Sequence, residues 1–285
     1  MGRRKSIIRQ VSERLHSMAA YGQSKHVDKL GNGGKPAIDK IYSHSTMANY
    51  HQAACDFAAW ARDTHHCRTL DQARQYTGEY LQQRMDSGKS AWTVRRDAAA
   101  IAKVYQCQTT DLGVTLPARH RGDVTQHSNR TPQGFSEGRH ADLAALCRST
   151  GLRRHEVEQL RPQDVRQDAE GRTVVRVEQG KGGKARDVVA LDNTPARLAA
   201  QATAAGSDRV IDHIPGRAPI HAWRRDFATR MYDKLARDVA TLDRSEQYHC
   251  KLDRGGDVYD QTALGQVSAA LGHSRIGVTT HYVGK

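Results

Sequence analysis

Apolar residues recur along this chain at the three-to-four spacing of amphipathic helices. Ile7, Ile8, Val11, Leu15 and Met18 fall on one stripe and predict a helix within residues 5–20. The glycine-rich run from Gly31 to Pro36 then breaks the pattern and reads as a flexible linker. Three further helical stretches follow. The first runs from Ser45 to Asp63, with Tyr50, Ala54, Phe57, Ala58 and Trp60 as its apolar side. The second runs from Leu70 to Met85 and is closed by Asp86-Ser87-Gly88. The third starts at Ser90, a predicted N-cap, and carries Trp92, Val94, Ile101, Val104 and Tyr105.

Residues 109–135 scatter Gly, Pro, Arg, His and Ser without apolar periodicity, which predicts an interdomain connector. Beyond it, Glu137–Ser149 and Arg154–Leu160 read as helices around a Thr150-Gly151 break. Thr173–Val177 and Asp187–Leu191 are β-branched runs on either side of a Gly-Lys-Gly-Gly-Lys turn, which predicts a hairpin. Pro195–Ala205, Ala222–Ala236 and Gln261–Leu271 are helical again. The expected fold is mainly α with a small antiparallel β-sheet, in two domains. Residues 1–36 form an N-terminal helix and linker, 37–108 a helical domain, 109–135 the connector and 136–285 a second domain.

Charge narrows the function. Lys and Arg number 44 against 31 Asp and Glu, a formal net of +13, which points to a polyanionic partner. No run of about 18 apolar residues exists, so a membrane span is not expected. The basic start lacks the apolar stretch of a signal peptide. Binding to an anionic membrane surface would need a large amphipathic face, and only the N-terminal stripe could supply one. The five cysteines are odd in number and widely spaced, which predicts free thiols of a cytosolic protein and no zinc site. His51, His65, His66, His120 and His127 read as surface or packing residues.

The candidate chemistry lies in the second domain. Arg153 follows Thr-Gly-Leu, and its guanidinium suits a pair of phosphate oxygens, with Glu156 one turn on to hold it. Arg154 is the neighbouring candidate. Lys181 sits in the glycine-rich turn, where an ammonium can protonate a leaving oxygen; Lys184 is its possible substitute. His221 and Arg224 lie three apart at the start of a helix. His273 follows Leu271-Gly272, and Tyr282 stands nine positions later. Trp223 and Phe227 are expected to face the core.

Read in order, Arg153, Lys181, His221-x-x-Arg224, His273 and Tyr282 resemble the tyrosine recombinases, the phage integrase family. The resemblance spans roughly residues 40–283. It implies a two-domain DNA clamp, with a helical core-binding domain at 37–108 and a catalytic domain at 136–285. It implies a site-specific recombinase or integrase that cuts and rejoins DNA through a 3′-phosphotyrosine, using the six residues just named, with Glu156 in support. No metal or cofactor is expected. Lys89, Arg95, Arg96, Lys184, Arg186 and Arg275 are expected to contact DNA. The partner would be double-stranded DNA carrying a specific site. The protein would be a monomer when free and a dimer or tetramer on DNA, with an accessory DNA-bending factor possible, in a cytoplasmic, nucleoid-associated setting.

Three departures from the family pattern stand out. Gln179 is an extra residue before Gly180. The stretch from Arg224 to His273 is about twice the expected length, with the surplus at Asp238–Asp260. Only three residues follow Tyr282, so the segment by which relatives engage a neighbouring subunit is expected to be missing, with the stripe of Ile7, Val11 and Leu15 as the expected replacement. Two alternatives stay open: a non-catalytic integrase relative acting as repressor or architectural factor, and strand relaxation of the type IB topoisomerase kind.

Overall fold

Serine and threonine caps set the helix starts in the first unit. In the computed structural model, which describes residues 5–120, 133–181, 183–251 and 254–283, Ser6 caps α1 (Ile7–His16) by accepting from the Arg9 amide at 3.3 Å. Ser24 opens the short α2 (Lys25–Gly31), and Ser43 opens α3 (His44–His65). Thr69 and Gln72 exchange bonds in a capping box at α4 (Leu70–Ala73), which a 3₁₀ turn joins to α5 (Thr77–Asp86). Ser90 caps α6 (Ala91–Tyr105) as expected. The stretch from Leu70 to Met85 is therefore two helices where the pattern predicted one.

The chain divides into two compact units, Met1–Asp123 and Val124–Lys285. The division falls inside the stretch expected as a connector, of which residues 121–132 lie outside the described part. In the first unit α1 packs on α3, and Ile7, Val11 and Leu15 are buried with Phe57, Leu81 and Ile101 in one core. The N-terminal stripe therefore has no free face for a second subunit or a membrane, which corrects that expectation. The Ala20 amide bonds to Ile41 O at 2.9 Å, and the Ile41 amide to Met18 O at 2.7 Å. The run expected as a linker, with α2, is thus a loop tied at its base.

Basic residues expected at the DNA fare unevenly here. Lys89 is exposed just before α6. Arg95 donates to the carbonyls of Leu116 and Pro117 at 3.3 and 2.6 Å. Arg96 and Arg84 both pair with the fully buried Asp97, at 2.7 and 2.9 Å. Trp92 is exposed rather than part of the core stripe, with the Arg119 guanidinium 4.7 Å from its ring centre.

In the second unit α7 (Ala141–Thr150) and α8 (Arg154–Gln159) lead into a three-stranded antiparallel sheet. Its strands are β1 (Val165–Gln167), β2 (Thr173–Val177) and β3 (Arg186–Val189), with Val175 opposite both Val165 and Val188. Strand β1 has no clear alternation and went unpredicted. Helices α9 (Thr194–Ala204) and α10 (Ile220–Leu235) follow. The surplus at Asp238–Asp260 contains a second small hairpin, β4 (Gln247–His249) and β5 (Val258–Asp260), with Tyr248 opposite Tyr259. Helix α11 (Gln261–Ala270) and the single turn α12 (Ile276–Thr279) complete the unit. Its core gathers Leu146, Leu152, Trp223, Phe227, Leu264 and Leu271, with Trp223 and Phe227 inside as expected. Among the described residues no helix is long and apolar enough to cross a membrane.

Candidate active site

The Thr-Gly-Leu-Arg run works through its backbone. Gly151 ends α7 at φ 61°, and its amide closes on Cys147 O at 2.8 Å. A Cβ there would stand 2.3 Å from the Phe227 ring, so only glycine permits this close approach of α7 and α10. The reversal delivers Arg153 to the N-cap of α8, where the Glu156 carboxylate accepts the Arg153 amide at 2.8 Å. The Arg153 guanidinium bonds Glu156 at 2.8 Å and the Leu271 carbonyl at 3.1 Å. Its side chain is 14% exposed. Arg154, the alternative, donates instead to the carbonyls of Ile214, Pro215, Gly216 and Ala218.

Glu156 is fully buried at its carboxylate and has a second partner. Arg186 grips it with two bonds of 2.9 and 2.8 Å and donates a third to Ala270 O at 2.8 Å. Burial alone would raise the carboxyl's pKa; the Arg186 bonds, the Arg153 amide and both positive charges outweigh it and bring it down to about 2. Arg186, expected at the DNA, is therefore an internal strut.

Arg224 is completely buried. One Nη donates to Gly151 O and the other to Leu271 O at 2.5 Å, while Nε has no partner. Burial and the neighbouring Arg153 lower its pKa to about 10, which leaves it charged at neutral pH. Three guanidiniums thus meet the last carbonyls of α11, where helix geometry leaves unpaired acceptors and a partial negative charge.

Gly272 ends α11 at φ 63°, and the His273 amide bonds back to Ser268 O at 2.9 Å. This turn directs His273 toward α12. Its Nδ1 lies 2.9 Å from the Thr279 hydroxyl, and its ring centre lies 5.0 Å from that of Tyr282. Desolvation, then the charges of Arg224, Arg153, Arg186 and Lys181, lower its pKa to about 4. At neutral pH the imidazole is uncharged. Tyr282 follows α12 in a turn closed by its own amide on Thr279 O at 2.8 Å. The Arg224 guanidinium lies 5.7 Å from its ring centre.

The structure thus brings together Arg153, Glu156, Arg224, His273 and Tyr282. His221 stands exposed in the first turn of α10, with its pKa lowered by desolvation of part of the ring and by Arg224, Arg153 and Arg225. It shares a helix with Arg224 but lies at the surface while Arg224 is inside. Lys181 is exposed on the β2–β3 turn, close enough for its charge to act on His273. Lys184 and Arg275 are exposed as well. Thr279, which orients His273, was missed: a threonine three residues before a tyrosine carries no signal by itself. Among the described residues no group of three His, Cys, Asp or Glu side chains is placed to hold a metal ion.

No protein-family model matches the chain, and no curated protein matches it. Solved structures do. The XerH site-specific recombinase bound to palindromic difH substrate, a post-cleavage complex, superposes with a TM-score of 0.53 at 16% identity, covering 97% of this chain and 90% of that one. The pre-cleavage complex of XerH with difH gives 0.52 at 16% identity, covering 98% and 92%. The chain therefore carries the fold of these recombinase structures.

Proposed function

We propose that the protein is a site-specific recombinase that cuts and rejoins duplex DNA through a phosphotyrosine at Tyr282. The observation that carries the reading is that the His273 ring centre lies 5.0 Å and the buried Arg224 guanidinium 5.7 Å from the Tyr282 ring centre. A phenol is a weak nucleophile at its ordinary pKa of about 10. Arg224 lies buried with its guanidinium 5.7 Å from the Tyr282 ring centre, where its positive charge faces the charge that builds up at the reacting phosphate. His273 has Nδ1 engaged by Thr279, so we assign the phenolic proton to Nε2. Arg153, at the mouth of the cluster, faces the non-bridging oxygens of the scissile phosphate. The phenolate attacks phosphorus and the bond to the 5′-oxygen breaks, leaving a 3′-phosphotyrosine. Lys181 supplies the proton to that oxygen, and His221 at the surface orders the same phosphate. A second strand's 5′-hydroxyl reverses the step in a new pairing. The two units would close on the duplex as a clamp, with two or four copies assembled per site in the cytoplasm, at the nucleoid.

Selection of bound duplexes from a random-sequence library supplies the site, and nicked versions of it trap the intermediate. Wild type should give a protein–DNA adduct that survives denaturing electrophoresis, while Tyr282→Phe should bind equally and give none. Tyr259, the nearest tyrosine upstream, is buried with its hydroxyl on Arg254 and is no substitute. A wild type that binds but forms no adduct would return the chain to the non-catalytic reading.

A further inference from the structure

The surplus hairpin between α10 and α11 is built into the neighbourhood of Tyr282. Its root is fixed first. Arg237 bonds Asp260 through its backbone amide at 3.1 Å and through its guanidinium at 2.8 and 3.0 Å, with a further bond to Glu246 at 2.6 Å. Asp260 is buried and also caps α11, accepting from the Thr262 and Ala263 amides at 2.9 and 3.3 Å. The end of the hairpin is therefore the start of the helix that leads to His273.

From that root the hairpin reaches the tyrosine turn at two points. Tyr248 of β4 lays its hydroxyl against α12, where a Cβ at Gly277 would lie 2.5 Å from the oxygen. Arg254, beyond β4, donates one Nη to the Thr280 carbonyl and the other to the Tyr259 hydroxyl, while its Nε pairs with Asp257 at 2.7 Å. Its side chain is 19% exposed. Thr280 is buried and lies two residues before Tyr282. The planar guanidinium, held by Asp257 and Tyr259, presents its remaining Nη to the Thr280 carbonyl in a fixed geometry.

We infer that this hairpin braces the nucleophile turn, with Arg254 as a positioning residue for Tyr282 and Tyr248 as the seat of α12. The inference rests on the recombinase reading for its kinetic consequence, but its structural part stands without DNA. Misplacing a reacting atom by about 1 Å can lower a rate by ~10²-fold.

The test uses the full-length protein and the selected duplex. Arg254→Ala should bind that duplex within threefold of wild type and form adduct ~10²-fold more slowly in single turnover. Arg254→Lys, which can still donate to Thr280 O, should recover at least tenfold of that loss. In the absence of DNA, hydrogen exchange of amides 278–283 should accelerate at least tenfold in the Ala variant, while amides 224–232 of α10 keep their protection. Unchanged exchange at 278–283 would overturn the brace, as would wild-type adduct kinetics in the Ala variant. Loss of protection across α10 as well would also overturn it, since Arg254 would then be holding the whole unit. If wild type forms no adduct, the recombinase reading fails, and the exchange measurement still decides for or against the brace.

Discussion

Glu156→Gln removes one negative charge from beneath three guanidiniums and is nearly isosteric. The carboxylate accepts four bonds of 2.8–2.9 Å: the Arg153 amide, one Arg153 Nη and both Arg186 Nη atoms. Glutamine offers one oxygen, and its amide nitrogen would face donors. Breaking a buried pair by removing one partner costs about 3–5 kcal/mol, because the charges left behind are unpaired. The lowered pKa of the buried carboxyl leads to a similar figure. Folding lowers this carboxyl from the ordinary 4.5 to about 2, and at about 1.4 kcal/mol per pH unit that is roughly 3 kcal/mol. Because the folded pKa is the lower one, the stabilisation is fully present above pH 4.5. It is lost as pH falls from there through about 2. Urea titration followed by circular dichroism should place the variant about 3–5 kcal/mol below wild type at pH 7, with the difference shrinking as pH drops through that window. An equal urea midpoint at pH 7, or a difference that does not change with acid, would refute the assignment of Glu156 as the charge that holds the site together.

Lys181→Ala should slow adduct formation by ~10²–10⁴-fold through loss of the proton donor. A substrate with sulfur at the bridging 5′ position should restore it, whereas Arg153→Ala should stay slow on both; rescue of Lys184→Ala instead would move the acid along the hairpin. Gly151→Ala should destabilise by roughly 2–5 kcal/mol, from left-handed strain and the collision with Phe227. Gly206, at φ 68° with open space around it, supplies the control, where Ala should show the strain alone, about 1–2 kcal/mol. Affinity for duplex DNA should fall ~10³–10⁵-fold between about 50 and 200 mM salt if six to ten phosphates are contacted, and a flat response would remove the clamp.

Local chemistry was legible in the sequence, and long-range partnership was not. Ser90 as the cap of α6 follows from a rule that acts within a few residues. The pairing of Glu156 with Arg153 lies within one turn and was readable; the stronger grip of Arg186, thirty residues on, was not. Arg186 looked like a surface cation of the hairpin because no local pattern says that a strand's first residue will reach under a helix end. Trp92 fell on the apolar stripe of α6 yet is exposed, since periodicity cannot know how much of a helix face the neighbours cover. The Ile7–Val11–Leu15 stripe was read correctly as an amphipathic face, but its partner turned out to be α3 of the same unit. The hairpin at 238–260 was visible only as excess length.

One oxygen atom ties two of the site's cations together. The Leu271 carbonyl accepts from both Arg153 and Arg224, so neither guanidinium can shift without changing what the other is bonded to. The two arginines behave as one thermodynamic unit, and the free energies lost on removing each alone will not sum to the loss on removing both. The carbonyl belongs to the residue two before His273. A change at either arginine therefore also acts on the end of α11 that sets the position of the imidazole.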